Sequence, residues 1–132
     1  DKINALYRRC GYSGSVAPKD VVLLAEIDRQ PVGAVRLCKE DGINVLRGLY
    51  ILPAYYRKGI GSKLLQHCEM LMQTGIFFCL PYAQLAEFYQ RAGFAQIPEQ
   101  ELPRMLQARL AAYRSKGLNA IAMRRPVRRI NG

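Results

Sequence analysis

Residues 55–65 read YYRKGIGSKLL. Arg57 and Lys58 stand directly before Gly59 and Gly61, and an apolar pattern with helical spacing follows at once. Each glycine in a first helical turn costs about 1 kcal/mol against alanine, so the missing side chains need a reason. A loop that leads from a strand into a helix exposes free backbone N–H groups, and these bind phosphate together with the helix dipole. Glycine lets a phosphate approach the backbone closely. Residues 57–62 (Arg57, Lys58, Gly59, Ile60, Gly61 and Ser62) therefore read as a cradle for a pyrophosphate. A tight turn with close helix packing is the competing reading of the same glycines. Two other phosphate motifs are excluded. A P-loop needs GxxxxGK[ST], but Ser62-Lys63 follows Gly61 with no matching first glycine. A dinucleotide fingerprint needs a third glycine where Leu64 stands.

Metal chemistry has little support. Cys10, Cys38, Cys68 and Cys79 show no CxxC spacing, and His67 alone could join them. A structural zinc is not expected. The cysteines lie in apolar periodic segments and read as reduced, buried thiols, which suits a cytoplasmic protein.

The net charge is +10 over 132 residues. From Arg104 onward the chain carries Arg104, Arg109, Arg114, Lys116, Arg124, Arg125, Arg128 and Arg129, and no acid. Such a run is either a solvated basic face or an attraction for an anionic, phosphorylated ligand. Nucleic acid is not the expected partner, because no helix-turn-helix, RNP or zinc signature accompanies the charge. Half the residues are apolar, which argues against disorder. No apolar run approaches the ~20 residues of a membrane span.

The elements that would position the cradle follow from periodicity. Ile3, Leu6, Tyr7 and Cys10 mark one face of a first helix, ended by Gly11. Residues 21–27 and 32–38 read as an antiparallel hairpin about "DRQP", and 43–52 as a third strand after "KEDG". Pro53 closes that strand. A helix over 60–73 should bury Leu64, Leu65, Cys68, Leu71 and Met72, with Gly75 as its left-handed stop. The uniformly apolar 76–80 reads as a buried strand, parallel to the third because a helix joins them. A short helix at 83–92, a strand near 94–97, a helix at 103–116 and a strand at 118–123 follow. "RRPVRRING" is left as a basic tail whose charges act mainly at long range. The expectation is one domain over residues 1–132, a mixed α/β fold with helices on both faces of one sheet.

The stretch 49–65, LYILPAYYRKGIGSKLL, resembles motif A of the GNAT superfamily of acyl-CoA N-acyltransferases. Residues 86–94, AEFYQRAGF, resemble that family's second motif, FYxxxGF. The likeness extends over roughly residues 1–125. It implies a mostly antiparallel sheet flanked by helices, with a parallel, splayed strand pair around the cofactor. It implies acetyl-CoA as co-substrate, a primary amine as acceptor that attacks directly, and no metal. Leu49, Tyr50 and Ile51 match the strand whose main chain holds the pantetheine arm. Tyr89 matches the tyrosine that protonates the departing thiolate; on periodicity alone it is a core aromatic beside Leu85 and Phe88. Tyr82 stands where many relatives place an asparagine that contacts pantetheine. Tyr56 occupies the usual Gln/Arg position of motif A, and Phe77 and Phe78 stand where some relatives carry a carboxylate base. Glu26, Glu40 and Asp41 are the candidate carboxylates, and none is named the base. The family has one more strand before its first helix, consistent with a trimmed start here. The alternative on the same fold is a non-catalytic acyl-CoA-binding regulator, and a homodimer is left open.

Overall fold

The structure is a computed structural model that describes residues 1–128. Its elements are α1 (Lys2–Arg9), β1 (Val21–Ile27), β2 (Gln30–Glu40), β3 (Ile43–Ile51), α2 (Ile60–Leu71), β4 (Phe77–Cys79), α3 (Ala86–Gln90), β5 (Ala95–Gln96), α4 (Arg104–Ser115) and β6 (Met123–Arg125). They build one six-stranded sheet in the order β1-β2-β3-β4-β6-β5. Only β3 and β4 run parallel, which is the pairing that the α2 crossover demands. No helix among the described residues is long and apolar enough to cross a membrane.

The β1-β2-β3 meander turns on two-residue corners. Asp28 and Arg29 have φ of 50° and 66°, and Asp41 and Gly42 have φ of 51° and 78°. Positive φ at both central residues matches the right-handed twist of a hairpin. These corners are shorter than the sequence suggests, so β2 extends to Gln30 and Glu40.

Strand alternation sorts the core to two faces. Val35, Leu37 and Leu46 pack against Leu64, Leu65 and Cys68 of α2 and Tyr89 of α3. On the opposite face Val32 and Ala34 pack against Leu6 and Tyr7 of α1. Farther along that face Val45 and Phe78 pack against Leu106 and Leu110 of α4. Arg36 and Arg47 lie on this face too, paired across β2 and β3.

Several sequence expectations need correction. Leu71 is exposed, because α2 ends there and Met72 turns inward in its place. Gly75 has no positive φ, so it is not a left-handed stop; a Cβ there would meet the end of the Asn44 side chain at 2.8 Å. The last strand is Met123–Arg125 rather than 118–123, and the earlier segment touches the sheet through one bridge, Ala120 to Tyr82. Arg124 and Arg125 therefore belong to the sheet and not to a tail. Arg129 lies outside the described residues.

Candidate functional site

The chain leaves β3 through Leu52 and a short 3₁₀ turn at Pro53–Tyr55. It then passes Arg57 at φ 63° and Gly59 at φ 76° before α2 begins. Gly59 is the N-cap of α2 and has no side chain to satisfy the first amides. The first helical bond runs from Lys63 N–H to the Gly59 carbonyl. The N–H groups of Ile60, Gly61 and Ser62 have no partner among the described residues. The first turn carries no acidic residue to compete for the positive end of the dipole. Arg57 and Lys58 are exposed beside it, with Lys58 Nζ 5.9 Å from the centre of the Tyr55 ring.

A groove of about 280 Å³ opens over this loop, lined by Ile51, Tyr55, Arg57, Gly59, Gly61 and Phe88, among others. The two glycines have different causes. Gly59 is required by its positive φ and faces open space. Gly61 has an ordinary backbone, and a Cβ there would only touch the Phe88 ring at 3.6 Å. Unpaired amides, an unopposed dipole and nearby cations fit an anionic diphosphate.

The groove continues along an open strand edge. β3 pairs with β4 only at Asn44–Phe77 and Val45–Phe78. Beyond these the two strands part, so Leu49, Tyr50 and Ile51 have no β4 partner. On its other side β3 carries an extra residue: Ala34 opposes Tyr50 while Arg36 opposes Arg47. Gly48 lies in this bulge at φ 66°. A Cβ on Gly48 would come within 2.6 Å of the Tyr7 hydroxyl and 3.0 Å of Arg36 Nε, so both the backbone and the packing require glycine.

Tyr89 sits on α3, with 6% of its surface exposed. Its ring meets Phe88 and Phe94 edge-on, at 5.2 and 6.1 Å between centres. Burial pushes its phenol well above the usual range, so it is protonated at neutral pH. Tyr50 projects to the opposite face, where Tyr12 stacks on it at 4.4 Å. Burial pushes Tyr50 up to about 12, with Tyr82, Tyr12 and Tyr113 adding to the effect. Tyr82 is 39% exposed.

Two of the three candidate carboxylates are occupied elsewhere. Glu26 meets Lys2 at 3.5 Å. Glu40 accepts from Arg47 at 3.0 Å and from Arg109 at 2.6 Å. Burial would raise Glu40, but the hydrogen bonds and charges of Arg109 and then Arg47 hold it below the usual carboxylate range. Asp41 forms the corner before β3, and His67 faces solvent on α2. Burial pushes the Cys38 and Cys68 thiols up to about 12. The described residues contain no group of three or more His, Cys, Asp or Glu able to hold a metal.

Sequence reading missed Arg36. It is 3% exposed and donates to the Ser15 carbonyl, Asp20 Oδ2 and the Tyr12 hydroxyl. A lone charge inside the apolar run VGAVRLC was the available signal, as a lone glycine within INVLRGLYIL was the signal for the bulge.

A family model described as "Acetyltransferase (GNAT) domain" matches residues 18–96. No curated protein matches the chain. Among solved structures, an N-acetylglutamate synthase from Neisseria gonorrhoeae complexed with coenzyme A and N-acetyl-glutamate is 25% identical, with a TM-score of 0.62 over 82% of this chain and 26% of that one. The chain thus spans about a quarter of that enzyme. An aminoglycoside 6'-N-acetyltransferase complexed with coenzyme A is 15% identical, with a TM-score of 0.70 over 100% of this chain and 92% of that one. The ribosomal-protein-S18-alanine N-acetyltransferase from Escherichia coli is 14% identical, with a TM-score of 0.68 over 98% and 88%. The last two share the fold.

Proposed function

Since the chain belongs to the GNAT acetyltransferase family, we propose that it transfers an acetyl group from acetyl-CoA to a primary amine. The observation that carries this reading is the continuity of the three free amides at the start of α2 with the unpaired edge of β3. The amides of Ile60, Gly61 and Ser62, with Arg57 and Lys58, would hold the pyrophosphate. The main chain at Leu49–Ile51 would hold the pantetheine arm, and a free N–H there would polarise the thioester carbonyl. Tyr82 would border the same arm.

The amine nitrogen attacks the thioester carbon, the carbon–sulfur bond breaks, and an amide forms. Tyr89 gives its proton to the departing thiolate. The proton lost by the amine leaves through water, because Glu26 and Glu40 are both held in ion pairs. That occupancy also favours the second reading, a non-catalytic acyl-CoA-binding protein. Calorimetry with coenzyme A, followed by thiol release from acetyl-CoA in the presence of amines, separates the two. Binding with amine-dependent thiol release is the expected result. Binding with no release from any amine leaves the regulator reading.

A further inference from the structure

A second cavity of about 380 Å³ lies between the loop that follows α1 and the strands β2 and β3. Six charged residues line it: Lys19, Asp20, Arg36, Lys39, Glu40 and Arg47. Four positive and two negative groups leave two positive charges in excess. Neither acid is free. The Asp20 carboxylate accepts from Arg36 at 3.2 Å and from the Ala17 N–H at 2.8 Å. Glu40 is shared by Arg47 and Arg109.

Arg47 differs from Arg36 in what it has left to offer. Only its Nη1 is engaged, by Glu40; its other nitrogens make no hydrogen bond among the described residues, and the side chain is 28% exposed. It immediately precedes the Gly48 bulge, past which β3 has lost its β4 partner. An ammonium group entering this cavity meets like charge with no free carboxylate to receive it, and a polycation meets more of it. A carboxylate finds an open guanidinium fork.

We propose that the acceptor is an amine that itself bears a carboxylate, as an amino acid does, and that Arg47 holds this carboxylate beside the bulge. This rests on the acyl-transfer reading above and narrows its acceptor. Polyamines and aminoglycosides are excluded from the class.

The test compares alanine and glutamate with their α-amides as acceptors for acetyl-CoA. The amide keeps the amine and makes it less basic, so intrinsic reactivity favours the amide. A site that uses the carboxylate reverses that order. The free acids are expected to show kcat/KM about 10- to 100-fold above their amides, the range of one charge-assisted hydrogen bond. Arg47→Gln should collapse the ratio with KM for acetyl-CoA unchanged. Amides used as well as acids, a ratio that survives Arg47→Gln, or spermidine used better than either amino acid would overturn the proposal. If coenzyme A binds but no amine turns over, the acyl-transfer reading fails and the carboxylate site is still read separately. Calorimetry with N-acetylalanine in the presence of coenzyme A then decides it. Binding lost in Arg47→Gln supports the site, and absence of binding overturns it.

Discussion

The guanidinium of Arg125 donates from Nη1 to the main-chain carbonyl of Met72 at 2.9 Å. Its Nε donates to the carbonyl of Ala92, also at 2.9 Å. One side chain of β6 thus closes the C-terminal ends of both α2 and α3, the helices that carry the cradle and Tyr89. Arg125 is 4% exposed, so the two carbonyls have little access to water in its place.

Replacing Arg125 by Leu should therefore cost stability. A buried acceptor left without a partner costs about 1–3 kcal/mol, and this change leaves two unpaired. The expected loss is about 2–6 kcal/mol, read as a lower urea midpoint at unchanged slope. A midpoint equal to that of the parent would show that the carbonyls find other donors.

Gly61→Val tests the cradle. A branched side chain would project beside the free amides, and the nearest protein atom to its Cβ is the Phe88 ring edge at 3.6 Å. The fold should persist by circular dichroism, while calorimetry should show weakened coenzyme A binding. Unchanged affinity would mean that phosphate does not sit at this glycine.

Tyr89→Phe keeps the ring and its edge-on contacts and removes the proton. The proposed acid role gives a kcat lower by about 100-fold, within the range of general acid–base groups, with coenzyme A affinity unchanged. Turnover at the parental rate would leave Tyr89 as a packing residue.

Glu40 gives the account a pH dependence. Its folded pKa lies below the usual value, so the unfolded chain binds its proton first on acidification. The stabilisation is present above the unfolded pKa and is lost as pH falls through the folded one. Glu40→Gln should cost about 1 kcal/mol at neutral pH, a figure discounted for solvent screening. The gap to the parent should close in acid, by urea denaturation at the two pH values. A gap that widens in acid would contradict the assignment.

Much of this was legible in the sequence. Apolar spacing revealed α1 and α2, and the glycines and basic pair of RKGIGS marked the loop that the structure leaves with free amides. Arg125 was hidden because a run of arginines around a proline reads as solvated. Its burial depends on the carbonyls of Met72 and Ala92, far off in sequence and brought near only by β4 and β5. Arg36 was hidden for the same reason: its partners Tyr12, Ser15 and Asp20 come from the loop after α1. The shift of the last strand to Met123–Arg125 followed from pairing with Phe77 and Cys79, which local propensity does not encode.

The central claim is that the free amides of α2 and the open edge of β3 form one acyl-transfer site. Labelled acetyl-CoA, mixed with the protein and an amino acid acceptor, tests it most directly by mass spectrometry of the products. The account calls for the label to appear in an amide on the acceptor amine, at a rate saturable in acetyl-CoA and suppressed by coenzyme A. Tight coenzyme A binding with no labelled amide from any amine would contradict it.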